Sequence, residues 1–565
     1  MMLPATRCIT QPPYGRVASA LRQRIGTKGR LVRSGFIGVL AVLAALSMSG
    51  RVSAAYVPPT LMRAETAQGV LEGESLGTVL AFRGIPYAAA PVGNLRFQPP
   101  QAPQAWTGVR SALDMGPSCP QLIDDDPTEN NDQVMAEDCL SLNVWTPRLD
   151  ARKRPVMVWI HGGAFVVGSS RNTWYDGAHL AARGDVVVVT LNYRLGVWGF
   201  LALEGFGGRY ASSANIGLQD QVAALQWVRN NIARFGGDPE KVTLFGESAG
   251  ASSVGALLSM PVAKGLFARA ILESGVPSKR PVEARERSAR LAGEFLKQAG
   301  VSTPDGLATR SMRDLLDIEQ HIFNEHSELG TFVPWVDGTV LKEQPFAVVA
   351  SGRGNRVPIM IGTTAEEMRY FSTAEDLGLE RKPKGLLMKQ LEAAAGLRAQ
   401  DVFNTYQRLY PNWGDMVVQI SSDAIMRFPS IELAEQASAF QPVYMYLFTY
   451  RSNSTYKNFG SAHAMELPFV FGLVDLPEVI VFTGRDPRRH ALADAVMDRW
   501  LAFARTGNPT VSSGPPWKPY DKTERSTMEL GYQVRAVSNP LAEQRDVWGG
   551  VMPTVEQSWP LMQIN

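Results

Sequence analysis

Cysteine and histidine are scarce in this chain, which has three cysteines and six histidines among 565 residues. They do not cluster as the ligands of a structural zinc ion do, so we expect no metal site. Internal repeats, low-complexity tracts and a linker rich in Pro, Ser and Gly are also missing. Residues 55–565 are therefore expected to form a single domain.

Acidic residues are absent from 1–54, a segment that contains eight Lys and Arg. Its apolar run, 36–48, is too short to span a bilayer, and small residues follow at 53–55. This order predicts a cleaved export signal over 1–54 and a periplasmic or secreted product, with an uncleaved membrane anchor as the alternative. No later segment reaches 18 uninterrupted apolar residues, so we expect no other membrane insertion.

Basic clusters are scarce in the rest of the chain. Without 1–54 the formal charge changes from +2 to −6. Binding to nucleic acid requires clustered Lys and Arg, and the group at 485–489 is interpreted as an exposed turn. We therefore expect no nucleic-acid partner, and the composition leaves the oligomeric state open.

Loss of the predicted leader would leave Cys119 and Cys139 as the two remaining cysteines. In an exported chain such a pair predicts a disulfide. The bond would stabilise the fold by about 3 kcal/mol, because it restricts the unfolded chain. Two free buried thiols are the alternative.

Short apolar runs alternate with longer helical segments along the chain. Continuous apolar strands indicate burial on both faces, so the fold class is α/β, with a large, mostly parallel sheet and helices on both faces. Segments near 280–330 and 375–440 show few strand signals. We expect helical insertions over the active site there, or else ordinary scaffold helices. The predicted strands are 156–160, 186–191, 242–245, 270–272, 357–361 and 443–449, and the clearest helix is 218–233.

The most informative motif is Gly-Glu-Ser-Ala-Gly at 246–250. It follows an apolar strand and leads into a helix of small residues, and this order presents a serine hydroxyl at a sharp turn. We therefore predict that Ser248 is a catalytic nucleophile. A similar pentapeptide surrounds Ser75, but two short strands flank it and no helix follows, which indicates a hairpin turn.

A nucleophilic serine needs a histidine base and an acid that orients the base. His463 lies among small residues just before an apolar helical run, which favours it as the base. His161 ends a predicted strand and is better placed to support the adjacent loop. Glu366 and Glu367 follow the strand 357–361, and the residue types alone do not choose between them.

An oxyanion needs backbone donors, and His-Gly-Gly-Ala at 161–164 follows the first strong strand. Such a glycine-rich loop is typical of esterases. Gly163 and Ala164, with the amide of Ala249 after the nucleophile, are the predicted donors. Each would stabilise the transition state by about 3 kcal/mol.

Taken together, these motifs resemble the type-B carboxylesterases, the carboxylesterase, cholinesterase and lipase branch of the α/β-hydrolase fold. The resemblance extends from about 60 to 545. Besides the serine pentapeptide, it rests on segments 82–88, 137–144, 192–196, 217–221 and 235–239.

The resemblance implies a role for several residues. The family's triad glutamate falls on Glu367, although the family's Asp-Glu-Gly is Glu-Glu-Met here, and its histidine falls on His463. Its first disulfide falls on Cys119 and Cys139. The implied activity is serine-dependent hydrolysis of carboxylic esters through an acyl-enzyme, with a small-molecule ester and water as partners and no cofactor.

One departure from the family concerns the substrate. Cholinesterases carry a tryptophan for the quaternary ammonium in the loop closed by this disulfide, whereas 120–138 contains no aromatic residue. A choline ester is therefore disfavoured. The alternatives to an esterase are a thioesterase or amidase with the same site, and a non-catalytic binding or adhesion protein on the same fold.

Overall fold

The computed structural model describes residues 60–122, 134–277, 279, 284–326, 331–373, 378–550 and 559–562. The predicted leader, 1–54, lies outside these residues. Within the described ranges, none of the helices combines the length and the hydropathy that a membrane span requires.

The described strands form one sheet in the order β1-β2-β3-β5-β7-β6-β8-β9-β10-β11-β12-β13, and β4 pairs with β2 outside this path. Along this order, each pair of neighbouring strands from β7 to β12 runs parallel. The pairs from β1 to β7 and the pair β12–β13 run antiparallel. The carboxyl ends of the central strands therefore meet at one edge, where ligands bind in open sheets of this type. The strands are β1 (Leu61–Glu65), β2 (Val70–Ser75), β3 (Leu80–Pro86), β4 (Val109–Ser111), β5 (Ser141–Thr146), β6 (Arg154–Ile160), β7 (Val187–Leu191), β8 (Gly237–Glu247), β9 (Arg269–Glu273), β10 (Ile359–Thr364), β11 (Val443–Phe448), β12 (Ser526–Leu530) and β13 (Val534–Ser538).

Helices connect most of the parallel strands and vary from one turn to five. The longest span 489–506, 216–231, 284–298 and 312–326. The helices are α1 (Ala178–Gly184), α2 (Gly196–Phe200), α3 (Ile216–Asn231), α4 (Ala249–Ser259), α5 (Ala284–Gln298), α6 (Met312–His326), α7 (Pro345–Ala350), α8 (Arg369–Thr373), α9 (Lys384–Ala395), α10 (Ala399–Leu409), α11 (Trp413–Ser422), α12 (Phe428–Ala437), α13 (Leu467–Val470), α14 (Pro477–Thr483), α15 (Arg489–Thr506) and α16 (Ala542–Val547).

The sheet separates two hydrophobic cores. Successive side chains of a strand point to opposite faces, and β6 shows this directly. Val156 and Val158 pack in one core with α4, while Met157 and Trp159 pack in the other with α15. Helices therefore cover both faces, as predicted.

The predicted strands are present with adjusted ends. β8 begins five residues before the predicted run 242–245, because its exposed Glu240 and Lys241 interrupt the apolar pattern. Ser75 ends β2, which pairs with β3 in a hairpin, as predicted. The Cys119–Cys139 disulfide is also present. Helices α5, α6 and α9 to α12 occupy the described parts of 280–330 and 375–440, and their role as insertions over the active site stays a prediction.

Candidate active site

Ser248 stands alone between β8 and α4, in a backbone conformation that L-residues rarely adopt. Its φ is +56° and its ψ is −120°, a strained geometry that surrounding contacts must maintain. The Ser248 amide donates to the carbonyl of Glu273 (2.8 Å), and the Ser248 carbonyl accepts from the amide of Ser252 (2.9 Å). A Cβ on Gly250 would lie 2.1 Å from the carbonyl oxygen of Ile160, so the turn needs glycine there. The half-buried serine is thus held at the carboxyl edge of the sheet.

Glu367 and His463 form a buried pair at the same edge. Glu367 lies just beyond the end of β10, and its Oε2 is 2.6 Å from Nδ1 of His463. The backbone amide of Thr364 donates to Oε1 of Glu367 (2.7 Å), and the amide of His463 donates to the carbonyl of Glu367 (3.2 Å). The carboxylate therefore fixes the imidazole with its proton on Nδ1 and leaves Nε2 as the basic nitrogen.

Glu366, the other candidate acid, points to a different set of partners. Its Oε1 accepts from Arg369 (2.7 Å) and its Oε2 accepts from the amide of Ser461 (2.9 Å). Arg451 adds a further ion pair. Both carboxylate oxygens are thus occupied, and among the described residues only Glu367 of the two reaches His463.

A second carboxylate lies on the other side of the imidazole. Oε1 of Glu247, the residue before Ser248, is 3.0 Å from Nε2 of His463 but is not aligned with it for a hydrogen bond. Among the described residues, the Ser248 hydroxyl makes no hydrogen bond to His463. Such bonds are often long in unliganded hydrolases and tighten when substrate binds.

These carboxylates control the protonation of His463. Burial lowers the pKa of the imidazole, but the negative charges of Glu247 and Glu367 outweigh burial and raise the pKa well above the ordinary 6.5. The ring is only 5% exposed, so water screens these charges poorly. His463 is therefore a stronger base than an isolated histidine.

The glycine-rich loop after β6 passes beside the serine. A Cβ on Gly162 would lie 3.1 Å from the Cβ of Ser248. Gly163 and Ala164 have φ of +102° and +53°, and the carbonyl of Gly163 accepts from two amides that close the turn. Within the described ranges, the amides of Gly163, Ala164 and Ala249 donate no hydrogen bond. Three free backbone donors therefore lie in the loop and the helix terminus that flank Ser248.

His161 supports this loop. Its Nδ1 is 2.8 Å from the carbonyl of Gly162, and its ring stacks on Tyr193 at 4.5 Å between centroids. The Tyr193 hydroxyl donates to the His161 carbonyl (3.0 Å). Burial lowers the pKa of His161 to about 4, so the ring is neutral at pH 7 and donates from Nδ1. The position matches the supporting role predicted for it.

Two further buried glutamates, Glu466 and Glu273, lie in the same region and were not predicted. Glu466 accepts hydrogen bonds from the hydroxyls of Ser274 and Tyr446, both at 3.1 Å. Glu273 accepts from Nε1 of Trp500 (2.8 Å). Burial, with the charges of Glu367 and Glu247, raises the pKa of Glu466 to about 8. An acid inside an apolar run, as at 464–471, is the sequence signal that could have identified Glu466.

Of three aromatic residues considered as lining of the site, one lies beside His463 and two lie in the hydrophobic core. The Phe371 ring lies 5.3 Å from the His463 ring and is only partly buried. Trp198 and Trp335 are buried in the core at 1% and 3% exposure. Phe371 is therefore the aromatic residue of these three that borders the proposed base. Within the part of the chain described, no group of three or more His, Cys, Asp or Glu could hold a metal ion.

A strand, a strained serine and a helix at the carboxyl edge of a mostly parallel, helix-covered sheet define an α/β-hydrolase. The chain belongs to the carboxylesterase family, whose model matches residues 61–548. It is thus a carboxylic-ester hydrolase.

Individual relatives cover nearly the whole match. The para-nitrobenzyl esterase of Bacillus subtilis is 38% identical over 488 residues, which are 85% of this chain and 97% of that protein. The liver carboxylesterase of Sus scrofa is 33% identical over 550 residues, with 88% and 93% covered. A crystal structure of a Geobacillus stearothermophilus carboxylesterase superposes with a TM-score of 0.76 at 37% identity, covering 86% of this chain and 99% of that one.

Proposed function

We propose that Ser248, His463 and Glu367 form the catalytic triad of this esterase, with Ser248 as nucleophile. The observation that carries the proposal is the buried bond of 2.6 Å between Nδ1 of His463 and Glu367, at the same sheet edge as the strained serine. A base whose tautomer is fixed by a carboxylate is the arrangement that activates a hydroxyl.

The reaction follows from these positions. Nε2 of His463 takes the proton of Ser248 as Oγ attacks the ester carbonyl, and the amides of Gly163, Ala164 and Ala249 stabilise the oxyanion. His463 then gives the proton to the leaving alcohol, which yields an acyl-enzyme. Water attacks the acyl carbonyl with His463 again as base, and His463 then returns the proton to Oγ of Ser248 as the carboxylic acid leaves. Glu367 stabilises the imidazolium during both acylation and deacylation.

We further propose that the substrate is a small uncharged ester. The segment 120–138 offers no aromatic ring for a quaternary ammonium, and Phe371 adds an apolar surface beside the base. The basic, apolar leader of 1–54 supports export to the periplasm or the medium.

The test is hydrolysis of a graded series of p-nitrophenyl acyl esters by the purified protein and two variants. Ser248→Ala should lose turnover with every ester, because the nucleophile is gone. Ser75→Ala is the matched control, since it changes the serine of a similar pentapeptide that lies at a hairpin. This variant should retain full activity. The acyl-chain length that the wild type hydrolyses fastest then reports the size of the acyl pocket.

Equal activity of wild type and Ser248→Ala would refute the assignment of the nucleophile. Absence of turnover by folded wild type with every ester would favour a binding protein or a very restricted substrate. Matched p-nitrophenyl thioester and p-nitroanilide substrates separate an esterase from a thioesterase or an amidase.

A further inference from the structure

Three arginines line a small cavity whose lining does not include Ser248, Glu367 or His463. The cavity has a volume of about 20 Å³, which is the room needed by one water-sized particle. Its walls come from β10, β11, the start of β12, and the chain before and within α16. The arginines are Arg427, Arg525 and Arg545.

Arg427 is the most deeply buried of the three, at 5% exposure. Its Nη2 lies 2.7 Å from Oδ2 of Asp423, yet none of its three side-chain nitrogens makes a well-aligned hydrogen bond within the described ranges. Thr363, whose hydroxyl is also buried without a partner there, lines the same cavity. Buried donors of this kind are rare, and an unobserved acceptor is a common explanation.

The charge around the cavity favours an anion as that acceptor. Asp423, the buried partner of Arg427, also accepts from Tyr406 (2.5 Å) and Gln419 (2.8 Å). Its negative charge is therefore distributed over three donors and does not compensate Arg427 alone. Arg545 pairs with Asp546, whose side chain is 65% exposed and therefore screened by water. Arg525 pairs with Glu435, which is 14% exposed. Although each arginine also pairs with a carboxylate, no Asp or Glu is among the described residues that line the cavity, so the lining itself is positive.

The backbone around the cavity is strained. Arg525, Asn539 and Leu541 all line it with φ of +49°, +51° and +55°. Arg427 ends a π-helical turn, Asp423–Arg427, between α11 and α12. Non-glycine residues with positive φ and π-turns gather at functional sites, because strain persists only where other contacts maintain it. The neighbourhood of Ser248 shows the same feature, with positive φ at Ala164 and Ser248.

We propose that this cavity binds one monatomic anion of chloride size. A volume of about 20 Å³ suits a single small ion, and guanidinium donors form strong hydrogen bonds to charged acceptors. Thr363 lies on β10, the strand that leads to Glu367. A bound anion therefore stabilises the strand end on which the acid of the triad stands, and it raises the stability of the native state.

Two measurements on the full protein test this site. Crystals soaked in sodium bromide should give an anomalous peak in contact with Arg427, because bromide replaces chloride and scatters anomalously. In solution, the melting temperature should rise with sodium chloride and saturate, and sodium gluconate at the same sodium concentration should not reproduce the rise, because gluconate is too large.

Arg545→Gln is the informative variant, since its partner Asp546 is exposed and tolerates the loss. This variant should raise the chloride concentration for half-maximal stabilisation by about tenfold, because the loss of one charged hydrogen bond weakens anion binding by about that factor. Arg353→Gln is the control, because Arg353 pairs with Glu343 on the exposed surface, and its chloride response should equal that of wild type. Water instead of bromide in the cavity, or equal chloride responses of wild type and Arg545→Gln, would overturn the proposal.

Discussion

Glu247→Gln should move the acid side of the activity profile to lower pH. The Glu247 carboxylate lies 3.0 Å from Nε2 of His463, and both groups are buried. A base must be neutral to accept the serine proton, so activity falls as pH drops through the pKa of His463, which the carboxylates raise. Glutamine keeps the shape and removes the charge, so the pKa falls and the imidazole stays neutral at more acid pH.

The size of the effect follows from the distance. Two unit charges 3.0 Å apart attract by about 5.5 kcal/mol at an effective dielectric constant of about 20. Neighbouring groups and water will compensate for much of this energy when one charge is removed. A surviving change of about 1.4 kcal/mol corresponds to a factor of ten in protonation. We therefore expect kcat/KM on the acid limb, as a fraction of its plateau, to rise about tenfold.

The assay is kcat/KM for a p-nitrophenyl ester across pH 5 to 9, with Glu343→Gln as the control. Glu343 is an exposed carboxylate in a surface ion pair, so its loss should leave the profile in place. An acid limb that does not move in Glu247→Gln, or that moves to higher pH, would refute the electrostatic reasoning.

Three further changes have defined outcomes. Glu367→Gln should lower kcat by about 10²- to 10⁴-fold because it removes the charge that orients His463, whereas Glu366→Gln should lower it far less. Reduction of the Cys119–Cys139 disulfide should lower the free energy of unfolding by about 3 kcal/mol, measured by urea denaturation with and without reductant. Gly163→Ala should lower kcat by about 10²-fold with little change in KM. The reason is that the new Cβ would meet a backbone oxygen at 2.2 Å and displace the loop amides. For each of these three changes, an unchanged value would contradict the role assigned to the residue.

The sheet edge that carries Ser248, Glu367 and the glycine-rich loop could be predicted from local pattern, because each of these three follows an apolar run. Parallel strands end at one edge, so Ser248, Glu367 and the loop after β6 had to lie near one another once the sheet was parallel. The pattern of apolar and polar residues does not show which way a loop side chain points. Glu366 and Glu367 are adjacent and chemically alike, and only Arg369 and the amide of Ser461 show why Glu366 points elsewhere.

Long-range contacts explain the rest of what was missed. Glu247 was visible in the pentapeptide, but its approach to His463 joins residues far apart in the chain. The arginine cavity depends on the same kind of proximity, since Arg427 and Arg545 become neighbours only through folding. Sequence periodicity carries no signal for such contacts.

The measurement that tests the central claim most directly is the location of a covalent label. A p-nitrophenyl phosphonate should phosphonylate the protein with a stoichiometry of one, and activity should fall in proportion to the labelled fraction. Peptide mapping by mass spectrometry should place the phosphonyl group on Ser248, and Ser248→Ala should remain unlabelled. A label on another residue, or full activity in stoichiometrically labelled protein, would contradict Ser248 as the nucleophile.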